Sequence, residues 1–426
     1  MFLIVIVAQI VDTVIGSLAD VLKDFTVSVW GVTLFVGISV VYGFGQYSIL
    51  GMVKSKNKEK PIRKKHFNVL EMVVTVAQYV LLATLVLVVL QVLFKSEYST
   101  IILRVATVIS YGLGAYLMGM LSYSLFGWFN ENRSLVVLLY SLAAAVIVVY
   151  VVAITLIFDI TLQEKPAVIL PESETVFSFP GITESLLIGL QTYCSIISFF
   201  LIWGGNILLL HQNIHRIGKV KFWLLMSTPL IASSVVFLSV YQPLAAGVVG
   251  EDPTMSLVVP LLLLVFSQLT ALVLIGATFG SVANALRHTP MIRDYLMITG
   301  YGFVLFFTAT TTTIAGAGYP PFGLVNVLLV GPFSFLILNG LYRSAVCVAE
   351  DSKLRQSIKV LAKRESRLLD MSASAEIQRD IKNKVMATVK VSAKHLEEES
   401  GIEPSLTDAE IQEQLELVTS ELRSQK

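Results

Sequence analysis

A chain of 426 residues with 55% hydrophobic residues, 14% charged residues and a mean hydropathy of +0.76 is too apolar for a water-soluble globular fold. Its formal charge of +1 gives no reason to expect nucleic acid as a partner, and its two cysteines exclude a disulfide framework and a cysteine-based metal site. The composition is that of an integral membrane protein.

Because backbone groups inside a bilayer must be satisfied within the segment, each span needs about 20 mostly apolar residues in helix. Met1–Leu22 is apolar at its start but carries Asp12 and Asp20 and has no basic leading region, so residues 1–26 read as an interfacial helix on the outer face. A signal sequence and a tenth span are the alternatives. Nine spans follow, over Val27–Val53, Phe67–Phe94, Ile101–Phe129, Ser134–Leu162, Thr183–Leu210, Phe222–Gly247, Met255–Leu286, Tyr295–Gly316 and Phe322–Val348. The predicted fold is an all-α, polytopic transmembrane helical bundle covering residues 27–348.

Basic residues fix the expected orientation. All but Lys23, Lys95, Arg104 and Lys165 of the 31 Lys and Arg residues fall in alternate gaps or in the tail, the densest group being Lys54, Lys56, Lys58, Lys60, Arg63, Lys64 and Lys65. Short loops of this kind stay in the cytoplasm, which places the N-terminus outside and the C-terminus inside the cell membrane. The longest connection, Gln163–Ile182, is acidic and proline-rich and falls outside, where it reads as a solvated connector.

From residue 349 to 426 the chain turns polar and helix-forming. Leu354, Ile358 and Leu361 begin a heptad-like seam in a helix expected to continue the ninth span. After Gly401 and Pro404, Thr407 and Glu410 form a capping box for a last helix with the seam Ile411, Leu415, Val418 and Leu422. Stripes this narrow imply packing on each other, on a second copy, or on a cytoplasmic or membrane protein partner.

The span centres hold no Asp, Glu, Lys or Arg, which argues against an ion-coupled pump. Uncharged polar residues do occur there, among them Gln78 and Ser110. The candidate intramembrane cluster is Gln191, Tyr193, Asn206, Tyr241, Gln242 and Gln268, whose side chains would line a ligand cleft or hydrogen-bond between helices. Gly276 and Gly280 have the four-residue spacing that permits close helix approach, and Pro229, Pro243, Pro260 and Pro332 mark bends. His211 and His215 stand one helical turn apart, the spacing of a two-histidine metal or haem site; without a third ligand at fixed spacing the pair predicts no bound metal or cofactor.

No enzyme signature is present. Thr299–Gly302 lacks one residue of a potassium filter, and His395 is followed by about 30 residues, too few for an ATP-binding kinase domain. The chain is therefore read as non-enzymatic.

The stretch from Tyr319-Pro320-Pro321-Phe322-Gly323 through Leu341-Tyr342-Arg343-Ser344 to Glu350-Asp351-Ser352-Lys353-Leu354-Arg355 resembles the end of uncharacterised archaeal polytopic membrane proteins related to the seven-helix sensor modules of histidine kinases. The last seven spans, from Ile101 onward, match those modules in topology. The resemblance implies membrane-embedded sensing relayed through the tail, and it supplies no ligand. Two leading helices and the missing kinase domain depart from it. The leading expectation is a receptor-like protein that relays the state of the bundle to its tail; a transporter or channel for an uncharged or weakly charged solute, and a structural subunit of a membrane complex, are the alternatives.

Overall fold

The computed structural model describes residues 2–17, 22–59, 65–95, 98–164, 184–211, 214, 218–241, 253–286, 289–310 and 319–350, with six isolated positions from 376 to 388. Every regular element among them is an α-helix. In chain order these are α1 (Phe2–Ser17), α2 (Lys23–Val27), α3 (Val29–Glu59), α4 (Lys65–Lys95), α5 (Thr100–Asn132), α6 (Leu135–Glu164), α7 (Glu184–His211), α8 (Lys219–Tyr241), α9 (Pro253–Ala285), α10 (Pro290–Thr310) and α11 (Leu324–Glu350).

Six helices among the described residues are long and apolar enough to cross a membrane: α3 to α7 and α11. Their outward faces are apolar, as a lipid-facing surface requires; on α4 these include Val69, Met72, Val76, Val86 and Leu90. The protein is thus a multi-pass membrane protein built as a helical bundle. The three remaining predicted spans coincide with α8, α9 and α10, whose described residues do not reach the same apolar length.

The organising element is α11. Every residue in its most apolar stretch is buried, in contrast to α4, of which 28% is buried. A helix that is apolar all round belongs in the centre of a bundle, and α11 is wrapped by α10 and α5, with α1, α3 and α4 closing the remaining sides. Since lipid and leucine are equally apolar, association rests on close packing and hydrogen bonds rather than on escape from water. Glycines permit that closeness. A methyl at Gly340 would lie 2.7 Å from the Tyr295 carbonyl oxygen of α10, and one at Gly302 would lie 3.0 Å from Leu336 and Ile337 of α11. Gly276 and Gly280 have no atom within 4 Å of such a methyl, so their spacing does not mark a close approach among the described residues.

Pro332 removes one backbone donor from α11, and the residue before it is serviced from outside. The Ser110 hydroxyl of α5 donates to the Val327 carbonyl at 2.7 Å and accepts from the Gly331 amide at 3.3 Å, entering the helical ladder one residue ahead of the proline. Along the α5–α6 pair, Ser122 and Ser141 exchange side-chain to carbonyl bonds of 2.9 and 3.0 Å, and Arg104 pairs with Asp159 near the far end.

The first helix exposes Leu3, Ile4 and Val7 and turns its polar face inward. Gln9, Asp12 and Thr13 are fully buried, and this polar face docks on the start of α11. Asp12 accepts from the Gly323 amide at 2.9 Å and the Asn326 amide at 3.4 Å, while the Asn326 side chain donates to the Gln9 carbonyl and the Thr13 hydroxyl at 3.1 Å each. Gly323 sits at φ 92°, a left-handed conformation that glycine adopts without strain, and so turns its N–H toward the carboxylate. The acid supplies from another helix the acceptor that a helix N-terminus needs. Burial nevertheless dominates and pushes the Asp12 carboxyl up to about 7, against the two amide donors that favour its ionised form.

Candidate functional site

At the end of α11 from which the tail departs, Asn339 and Arg343 lie one turn apart and therefore share a face. Both are buried, Arg343 to 2% exposure, so the guanidinium must find its partners inside the protein. Its Nε donates to Asn339 Oδ1 at 2.8 Å and Nη1 donates to the Asn57 carbonyl of α3 at 3.4 Å. Nη2 lies 3.6 Å from Glu71 Oε2 on α4. The amides complete the circuit: Asn339 donates to Asn57 Oδ1 and Asn57 donates to Glu71 Oε2, each at 3.3 Å. Only a planar fork with five donors serves three helices at once in this way.

An aromatic stack continues from the same guanidinium. Its carbon lies 5.6 Å from the centre of the Phe67 ring. Phe67 stacks on Tyr342 at 5.0 Å and 13°, and Tyr342 stacks on Trp128 of α5 at 6.2 Å and 14°. The Trp128 indole then donates to Glu376 Oε2 at 3.1 Å. Glu376 belongs to the tail and is 2% exposed, so this bond seats a tail residue against the bundle. Neighbouring contacts brace the arrangement: Tyr295 of α10 donates to the Lys56 carbonyl at 3.2 Å, and Lys56 pairs with Asp294 at 3.1 Å.

Of the polar cluster expected from the sequence, the described members Gln191, Tyr193 and Asn206 are not brought together. Asn206 is buried and accepts from the Tyr140 hydroxyl at 3.0 Å, with Gly205 permitting the ring to lie close. Gln191 lies 15 positions away on the same helix, roughly 22 Å along its axis, and is within interaction range of Tyr150 instead. Tyr193 is 68% exposed on an outward face. Gln242 and the side chains of Tyr241 and Gln268 lie outside the described residues, as does the tail seam of Leu354, Ile358, Leu361, Ile411, Leu415, Val418 and Leu422. A small apolar cavity with room for about one water lies beside Tyr140, lined by Leu121, Ala144, Ile147, Ile202, Phe303 and Leu341 among others.

His211 is exposed at the end of α7, its ring edge-on to Phe222 at 5.8 Å, and His215 lies outside the described residues. Among the described residues no group of three or more His, Cys, Asp or Glu side chains is placed to hold a metal. Cys194 and Cys347 are both buried and unbridged.

Arg343, Asn339, Asn57 and Trp128 do not figure in the site expected from the sequence. Their signal is nonetheless present: an asparagine and an arginine four residues apart, the arginine being the one basic residue of a mostly apolar helix. No family model, curated protein or solved structure matches the chain.

Proposed function

We propose that this is a receptor-like membrane protein without catalysis of its own, in which the position of α11 in the bundle sets the seating of a cytoplasmic tail. The observation that carries this reading is Trp128, which stacks on Tyr342 of α11 and donates to Glu376 of the tail. A shift or rotation of α11 at that end changes the stack, and the stack holds the tail. Such a relay needs one element with two discrete positions, and a closely packed central helix fits that role because packed interfaces switch rather than deform. The resemblance to seven-helix sensor modules points the same way.

In this reading nine helices span the cell membrane, α8 to α10 included, with the start of α3 outside and the tail inside. The tail helices meet a second copy of the chain or another protein. The close packing around α11 favours a sensor over a carrier, which would need a polar path reaching mid-depth.

The test is chemical labelling of single cysteines introduced at Leu354 and Ile358 in the full chain in liposomes, with changes of osmolarity, lipid composition and pH as stimuli. Relay predicts that at least one stimulus changes the labelling rate at one position relative to the other. Rates insensitive to every stimulus, or solute flux through the same liposomes, would contradict it.

A further inference from the structure

The first two spanning helices carry a polar group that the packing does not satisfy. The buried stripe of α3 runs through Phe35, Ser39, Tyr42, Gln46, Ile49 and Val53, and that of α4 through Leu70, Val74, Gln78, Leu81 and Leu85, both at the coiled-coil period. Tyr42, Gln46 and Gln78 are 1%, 6% and 4% exposed, and among the described residues no group stands at hydrogen-bonding geometry to either glutamine amide or to the phenol oxygen.

The three belong to one level of the bundle. A methyl at Gly43 would lie 3.5 Å from Leu82, which sets the register of the antiparallel pair. From there Gln46 is three residues along α3 and Gln78 four residues back along α4, so both move the same way and their levels differ by roughly 1.5 Å. Tyr42 and Gln46 are a helical turn apart on one face, within interaction range of each other. Further along, the side-chain bond from Asn57 to Glu71 joins the same two helices.

In a bilayer, unpaired amide and hydroxyl groups at this depth have no solvent to fall back on, so leaving their hydrogen bonds unmade is costly. Along the two helices the nearest charged side chains described, Glu71 and Lys54, lie about 10 Å away or more, so nothing there would balance a charged ligand. The amides offer donors and acceptors together, and the phenol offers one of each. We infer that Tyr42, Gln46 and Gln78 form a binding site for neutral molecules that both donate and accept hydrogen bonds, occupied by internal water that bridges α3 and α4.

The experiment uses the full chain in lipid bilayers with 15N-labelled glutamine, reading magnetisation transfer from water to side-chain NH2 groups by solid-state NMR. Gln46→Leu and Gln78→Leu assign the two signals, and Tyr42→Phe, which removes a single oxygen, serves as the variant least able to disturb folding. The site predicts strong water transfer to both NH2 groups, weakened at least twofold in Tyr42→Phe. Absence of transfer at both groups, or transfer unchanged by Tyr42→Phe, would overturn it.

Discussion

Trp128 of α5 and Tyr342 of α11 stack with their rings 6.2 Å apart and 14° from parallel, and the same indole donates to the buried carboxylate of Glu376. One side chain therefore reads the central helix with its face and the tail with its edge. Trp128→Phe keeps a ring for the stack and removes the donor, so Glu376 loses the indole N–H while α11 stays in place. We expect the tail to become several-fold more sensitive to limited proteolysis, equivalent to about 1 to 2 kcal/mol, with little change in the thermal midpoint of the bundle.

Arg343 predicts a different outcome. Arg343→Ala takes a donor from Asn339 Oδ1 and from the Asn57 carbonyl and leaves a helix-end cavity, so the bundle itself should weaken by about 3 kcal/mol, measured by thermal unfolding in detergent. Arg343→Lys retains the charge but loses the fork and should recover less than half of that loss. Glu71→Gln should cost less than either, because a quarter of the Glu71 side chain is exposed and screened by solvent.

The contrast between these residues shows what the sequence made legible. Apolar length alone located α3 to α7 and α11, because a membrane forces backbone bonding to be local. Partner choice between helices is not local. Gln191 and Asn206 look equivalent on a helix read alone, and only the neighbours decide that one meets Tyr150 and the other Tyr140. Likewise Asp12 argued for an aqueous surface on α1 until the N-terminus of α11 supplied amides to receive it. In the sequence Arg343 reads as one more cytoplasmic charge, although its spacing from Asn339 places both on one face.

Glycine substitutions separate close contacts from spacing patterns. At Gly340 an added methyl meets the Tyr295 carbonyl at 2.7 Å, so Gly340→Ala must push α10 and α11 apart, at a cost of about 1 to 3 kcal/mol. At Gly276 no atom of the described residues lies within 4 Å, and Gly276→Ala should be neutral or stabilise α9 by up to about 1 kcal/mol. Thermal midpoints of the two variants, compared in one detergent, decide this.

The Asp12 carboxyl predicts a pH dependence. Its folded value, about 7, lies above the 3.8 of a free carboxyl, so the folded state holds the proton more tightly. Stability from this group is full below about pH 4 and is lost as the pH rises through 7. The thermal midpoint should fall between pH 5 and pH 8, and Asp12→Asn should flatten that segment of the profile.

The relay is tested most directly where the tail meets α5. A methyl at Gly127 would lie 3.9 Å from the Arg379 guanidinium, the far end of a long side chain, so cysteines introduced by Gly127→Cys and Arg379→Cys should be joined in the full chain by a thiol-reactive crosslinker long enough to span that side chain. The measurement is the rate of that crosslink when Tyr342→Ala removes the α11 side of the stack, which leaves the Trp128 to Glu376 bond chemically intact. Control of the tail by α11 predicts a rate several-fold lower in Tyr342→Ala. An unchanged rate in a folded variant would contradict it.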